Sequence, residues 1–284
     1  MATITIIMPV RNCAGTVTAA VNSIIRQSYR DWELKLLEDG SDDQTLARAR
    51  SFTDARVHVI ADGEKHGLIA RLNQGIALAQ GPYIARMDGD DISYPDRLLK
   101  QTQFLSANPQ IDLVGAGILV FNPAGDAVGR RTPRLDHTSI CDTRTTGFGI
   151  AHPTFMGKTS WFSRFRYRPG ALLCEDQDLL LRSHKESRFA NLPDLLLGYR
   201  EGELRLKNML SARYHFAVAA LKHARVEGGV MQGIHGASLQ GAKAVWESVA
   251  LATGMDKVML AHRVHPLADA ERAEWDRVYA WAMA

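Results

Sequence analysis

Three carboxylates stand almost side by side at Asp88, Asp90 and Asp91, with Gly89 between the first two. Carboxylates that close repel unless a cation or hydrogen-bond donors compensate. The turn therefore predicts a hard divalent ion, magnesium or manganese, bridging a carboxylate and a diphosphate. For an isolated Asp-x-Asp, a solvated turn capping the next helix is the plainer explanation. A second acidic turn, Glu38-Asp39-Gly40-Ser41, offers a carboxylate that could accept the imide N–H of uracil or thymine; an Asx turn explains it equally well. Asp42 and Asp43 read as helix-start residues. In Pro9-Val10-Arg11-Asn12, Arg11 could stack on a base or reach a phosphate and Asn12 could fix the turn, or the run is only a strand-to-helix loop.

The elements around these residues give them their interest. Thr3 to Pro9 reads as a buried strand, and Val17, Ala20, Val21, Ile24 and Ile25 recur at helical spacing behind Thr16 as a cap. Trp32 to Leu37 is a second strand, Asp43 to Phe52 a helix and Arg56 to Ile60 a third strand. Leu68, Leu72, Ile76 and Ala79 mark a helix stopped by Gly81-Pro82, and Tyr83 to Met87 is a fourth strand. Four such alternations predict a parallel, doubly wound sheet, whose ligands bind beyond the carboxyl ends of the strands. The acidic turns after the second and fourth strands fall there. Further on, the pattern predicts a helix over Pro95 to Ala107 and a strand over Ile111 to Phe121. Residues 130–170 read as irregular, rich in arginine and glycine; a helix follows from Asp176 to Ser183, then short strand-like runs from Arg188 to Tyr199.

Composition narrows the classes. With 46% hydrophobic and 23% charged residues the chain is globular, and a net charge of +3 is too small to argue for nucleic acid. Cys13, Cys141 and Cys174 are scattered and odd in number, which favours a reducing compartment over a disulfide framework. We expect no signal peptide and no spanning helix, hence a cytoplasmic protein, at most peripheral at the inner face of a membrane.

The run from Ile6 to Thr45, with Ile7-Met8-Pro9-Val10-Arg11-Asn12, Ser23-Ile24-Ile25-Arg26-Gln27-Ser28-Tyr29 and Glu38-Asp39-Gly40-Ser41, resembles the start of a family 2 glycosyltransferase. The resemblance continues through Gly67-Leu68, Leu72-Asn73-Gln74-Gly75-Ile76, Ala79-Gln80-Gly81 and Tyr83 to Asp91. It resumes at Ala151-His152-Pro153-Thr154 and Glu175-Asp176-Gln177-Asp178-Leu179. It covers about residues 3 to 200, and the ordered set is far more specific than any one motif. It implies a GT-A fold: a mostly parallel, doubly wound central sheet with helices on both faces. It also implies a nucleotide-binding half over 1–91, an acceptor half over 92–202 and a helical extension over 203–284.

By the same resemblance, Pro9, Val10, Arg11, Asn12, Glu38, Asp39, Arg71, Asn73, Asp88 and Gly89 attend the nucleotide. Asp39 would contact the base, Asp88 the ribose, and Asp90 the Mn2+ or Mg2+ that holds the diphosphate. Asp176 matches the catalytic base, with Glu175 orienting it or touching the acceptor. His152 could touch the diphosphate, the acceptor or the metal, or be a hydrogen-bonded structural histidine. Arg130, Arg131, Arg134 and Arg144 could grip an anionic acceptor or form a basic loop. The expected activity is inverting transfer of a sugar (hexosyltransferase type) from a nucleotide-diphosphate donor, UDP-sugar first, to a hydroxyl of a glycan or lipid-linked glycan in bacterial polysaccharide or cell-envelope synthesis.

The chain departs from the family at Arg11, where an aromatic often stands; at Glu38, often Asp; and at Leu72, often Arg, with Arg71 one residue off. The Gln-x-x-Arg-Trp signature of processive synthases is absent after Asp176, so transfer of one sugar or a few is expected.

Beyond residue 202, Leu206, Met209, Leu210, Ala217, Ala220 and Leu221 suggest an amphipathic helix, as do Val245, Trp246 and Val249, with breaks near Gly228-Gly229, Gly233 and Pro266. Trp275, Tyr279 and Trp281 close another. Such faces most often pack on their own domain; a membrane surface or a homodimer are the alternatives. His262 and His265 are too sparse for a metal site. Two rival functions are an idle nucleotide-binding or assembly module and a sugar-nucleotide pyrophosphorylase. The four aspartates Asp39, Asp88, Asp90 and Asp176 together argue against the first. The lack of a glycine-rich loop over Met8 to Gly15 argues against the second.

Overall fold

The computed structural model describes residues 2–202, 206–227, 229–255 and 264–284. The chain runs β1 Ile4–Val10, α1 Val17–Ile25, β2 Trp32–Glu38, α2 Thr45–Arg50, β3 Val57–Ile60, α3 Leu68–Leu78, β4 Tyr83–Arg86. Then come β5 Ile92–Ser93, α4 Arg97–Ala107, β6 Leu113–Phe121, β7 Ala127–Arg131, α5 His137–Cys141, β8 Met156–Lys158, α6 Thr159–Arg164, α7 Glu175–Ser183 and β9 Phe189–Arg200. Helices α8 Leu206–Glu227 and α9 Val230–Ala252 follow, and a last helix spans Asp269–Met283.

Every residue of β1 and β6 is buried, as expected where both faces of a strand are covered by helices. The nine strands form one sheet in the order β3-β2-β1-β4-β8-β6-β9-β5, with β7 on β6. β1 pairs in parallel with β2 (Ile6↔Leu34) and β4 (Ile6↔Ala85), β2 with β3, and β6 with β9. The mostly parallel sheet agrees with the sequence. Three short strands depart from it: β5 and β7 pair antiparallel with β9 and β6, and β8 lies antiparallel between β4 and β6 within the stretch that reads as irregular. Its Met-Gly-Lys is too short to show a period of two, so only the two flanking strands define it.

The tail splits into two kinds of packing. On the last helix, Trp275 is fully buried, its ring 4.7 Å from Phe121, and its Nε1 donates to the Gly125 carbonyl at 2.8 Å. This face packs on its own domain, as the sequence suggests. Helices α8 and α9 instead form an antiparallel hairpin, and Val245, Trp246 and Val249 face outward. Gly233 does not break α9: it lies inside the helix, where an added Cβ would stand 2.5 Å from the Ala224 Cβ, so it lets the two helices approach closely. Residues 203–205, Gly228 and His262 lie outside the described residues.

Candidate active site

The nucleotide half is built by strand ends. After β1, Asn12 takes a positive φ of 51°, a conformation asparagine tolerates, and its Oδ1 accepts the Asp42 N–H at 2.9 Å. Asn12 thus fixes the turn. Asp43 accepts the N–H groups of Ala14 and Thr45, at 3.1 and 2.9 Å, so α2 starts two residues after it. Arg11 stays half-exposed, 3.6 Å from Asp42. Thr16 does not cap α1; its hydroxyl donates to the Gly89 carbonyl at 2.9 Å and ties the helix to the acidic turn. Gly89 is sterically required: a Cβ would stand 2.7 Å from Val10 Cγ1.

Pro9, Val10, Arg11, Asn12, Asp88, Gly89 and Asp90 line one cleft of about 380 Å³ together with Cys13, Gly15, Thr16 and Arg200. Arg200 escapes sequence reasoning. It ends β9, 110 residues from Asp90, and its Nε donates to the Asp90 carbonyl at 3.0 Å. The only available signal was its place at the carboxyl end of a parallel strand, where such sheets bind ligands.

Glu38, Asp39, Arg71 and Asn73 lie behind that lining. Glu38 accepts the Gly40 and Ser41 N–H groups and closes its own turn. Asp39 is buried; its Oδ1 accepts from the His66 and Gly67 N–H groups and from Arg71, while its Oδ2 accepts only from Gly67. An acceptor site remains on Oδ2. Arg71, expected to attend the nucleotide, is fully engaged within the chain. Its five N–H donors all go to Asp39, Asp62, Gln74 and the Glu64 carbonyl, so it positions Asp39 instead. Asn73 is turned onto the backbone N–H and carbonyl of Tyr167. Arg130 and Arg131 are held by Glu271 and Glu201, and Arg134 and Arg144 donate to the carbonyls of Ser139 and Cys141.

Two acidic groups remain. Asp88, Asp90 and Asp91 each offer a carboxylate oxygen within 4.8 Å of the others. Loss of hydration and the neighbouring Asp88 push Asp90 up to about 6, and burial, then Asp88 and Asp90, raise Asp91. Asp91 Oδ1 accepts the Arg200 N–H, but its buried Oδ2 has no partner. Mutually repelling carboxylates with an orphaned buried oxygen are the donor set a hard divalent cation satisfies.

The other group is His152, Glu175 and Asp176, again within 4.8 Å. Glu175 and Asp176 open α7, where the helix dipole favours negative charge. Burial, then Asp176, lifts Glu175 to about 7; burial also raises Asp176, whose Oδ2 accepts from Gln177 Nε2 at 2.9 Å. His152 Nε2 stands 2.8 Å from the Tyr167 hydroxyl, and burial, aided by Arg86, holds the ring well below its ordinary pKa, hence neutral. Buried Arg86 pairs with Asp88, and its charge acts on the carboxyls of both groups.

A strand-end cleft with an acidic turn and a carboxylate pair at a helix start is the layout of a GT-A glycosyltransferase. The chain belongs to glycosyl transferase family 2, whose sequence pattern it matches over residues 5–166. It is 36% identical over 205 residues to the protein named putative glycosyltransferase EpsE of Bacillus subtilis, covering 70% of this chain and 73% of EpsE. It is 30% identical over 227 residues to the O-antigen biosynthesis glycosyltransferase WbnJ of Escherichia coli, covering 77% of this chain and 87% of WbnJ. Among solved structures, S. aureus TarS 1–349 in complex with UDP-GlcNAc shares the fold at a TM-score of 0.63 and 16% identity, covering 82% of this chain and 72% of that one.

Proposed function

We propose that this glycosyltransferase moves one sugar, with inversion, from a nucleotide diphosphate to a hydroxyl of a glycan or lipid-linked glycan, in bacterial polysaccharide or glycoconjugate synthesis. The observation that carries it is the meeting of the Asp88–Asp91 turn and the Glu175–Asp176 pair in the field of one buried cation, Arg86. UDP-sugar is the first donor to test: Asp39 Oδ2 keeps an acceptor site for an imide N–H, and TarS, of the same fold, binds UDP-GlcNAc. The O-antigen role of WbnJ supports the acceptor class. We keep the division into a nucleotide half, 1–91, an acceptor half, 92–202, and a helical extension.

Asp90, with Asp88 and Asp91, would hold Mn2+ or Mg2+, which when bound neutralises charge on a departing diphosphate. Asp176 takes the acceptor proton while that oxygen attacks the anomeric carbon from the face opposite the leaving group. The new C–O bond forms as the bond to the phosphate oxygen breaks, and its electron pair leaves with the nucleoside diphosphate. Glu175 shares the proton with Asp176, and neutral His152, 3.8 Å from Glu175, adds no charge beside the pair. Calorimetric titration of UDP, dTDP and GDP, each with and without Mn2+, tests the donor. Tight, metal-dependent binding of one nucleotide is expected, and binding of none would return the chain to an idle module.

A further inference from the structure

The hairpin of α8 and α9 has a surface that solvation alone does not explain. Around α9, Gly233, Gly236, Gln240, Glu247 and Ala250 face inward. On the opposite side stand Met231, Ile234, Val245, Trp246 and Val249, with Met231 77%, Val245 65% and Trp246 53% exposed. Between them lie only His235, Ser238, Gly241 and Ala242, so this face carries no aspartate, glutamate, lysine or arginine along the whole 23-residue helix. A helix that meets only water presents charged residues outward. Yet α9 is no spanning helix: among the described residues none is long and apolar enough to cross a membrane.

The hairpin carries a net positive charge. Residues 206–255 hold five lysines and arginines against Glu227 and Glu247, an excess equal to the +3 of the whole chain. Glu247 is buried against Arg213 at 2.6 Å. Lys207, Lys222 and Arg225 on α8 are exposed and have no ion-pair partner among the described residues. Two copies meeting about a two-fold axis would bring these cations together. An apolar helix face with an aromatic, flanked by cations, suits the interface of an anionic bilayer.

The hairpin also sits beside the acceptor end of the site. Phe216 of α8 packs on Ala171 and Cys174, the residue before Glu175, and between them Leu172 and Leu173 project about half-exposed. We infer that the outer face of α9, with the basic side of α8, docks the protein on an anionic lipid bilayer, so that the Glu175–Asp176 pair opens close to acceptors carried in that lipid. The lipid-bound acceptor rests on the proposed transferase reading; the docking itself does not.

The experiment is co-sedimentation of the full chain with vesicles of phosphatidylcholine, with and without one part in three of phosphatidylglycerol, at low and high salt. Wild type is expected to pellet with the anionic vesicles only, and less at high salt. Trp246→Glu and Val249→Glu, both at exposed positions, should weaken binding by about tenfold or more, and Lys222→Gln with Arg225→Gln by a smaller, salt-sensitive factor. Nucleotide titration and circular dichroism of each variant should match wild type. Failure of wild type to pellet with anionic vesicles would overturn the inference. So would unchanged pelleting of the Glu variants, or a dimer in solution that Trp246→Glu converts to monomer. None of these readouts needs sugar transfer, so the docking can stand if the transferase reading falls, and the reverse.

Discussion

The Asp88–Asp91 turn and the Glu175–Asp176 pair both crowd carboxylates, and burial raises Asp90, Asp91, Glu175 and Asp176, but their surroundings differ in kind. Around the first, the donors are Arg86 and one backbone N–H, and Asp91 keeps an orphaned buried oxygen. Around the second stand a neutral histidine 3.8 Å from Glu175, an amide on Asp176 and the start of a helix. On the proposed function, the first cluster would be relieved by a second charge of opposite sign that stays in place. The second would be relieved by one proton, which can come and go. Crowding of acids alone therefore does not name a function; the donors beside them do.

Exchanging the two roles by mutation tests that contrast most severely. Asp176→Asn is expected to lower kcat by about 10²–10⁴-fold with metal-dependent nucleotide binding retained, read by steady-state kinetics beside calorimetry. Asp90→Asn should do the opposite, abolishing the metal dependence of nucleotide binding at every pH between 6 and 9 (roughly the range above its own raised pKa).

A second, smaller effect is in stability. Glu175, at about 7 when folded, binds its proton more tightly than in the unfolded chain, where it titrates near 4.5. Its contribution is therefore fully present below that lower value and is lost as pH rises through about 7. Asp90 behaves likewise, up to about 6. Thermal melts of the metal-free protein should show Tm falling across this window. Mn2+ should restore the share due to the Asp88–Asp91 turn and leave that of Glu175, whereas Glu175→Gln should remove the latter alone. If Mn2+ erased the whole decline, the two clusters would be a single cation site.

The smallest expected effect belongs to Gln177, which donates to Asp176 and accepts the Phe148 N–H at 2.7 Å. Gln177→Ala removes a bond of about 1 kcal/mol, or roughly fivefold in kcat, and should shift the ascending limb of the pH–rate profile upward. An unchanged profile would mean that Asp176 is tuned by the helix start alone.

The cleft was legible where chemistry and strand ends coincide. Pro9 to Asn12 and Asp88 to Asp90 are contiguous runs after apolar strands, and the fold rule places both at the same edge. Arg71 reads as a ligand contact because an arginine stands near a family position, while only the folded chain shows Asp39 and Asp62 taking its donors. Arg200 was out of reach, since nothing local distinguishes it from other arginines at the ends of strands. Helix periodicity identified α9 correctly but not which way it faces: a stripe of Val245, Trp246 and Val249 reads the same whether it packs inward or waits for another surface.

Strand β8 has a consequence for the order in which the molecule can assemble. Met156, Gly157 and Lys158 bridge β4 and β6, with Gly157 opposite both Ile84 and Leu113. While the chain leaves the ribosome, β1 to β4 can pair through neighbouring segments, yet β4 keeps an open edge until a three-residue strand arrives some seventy residues later. Over that interval the nascent sheet displays unpaired backbone, the surface on which stray strands aggregate. Overproduction would expose the same weakness, and truncations ending before Lys158 should be insoluble for want of that closing strand.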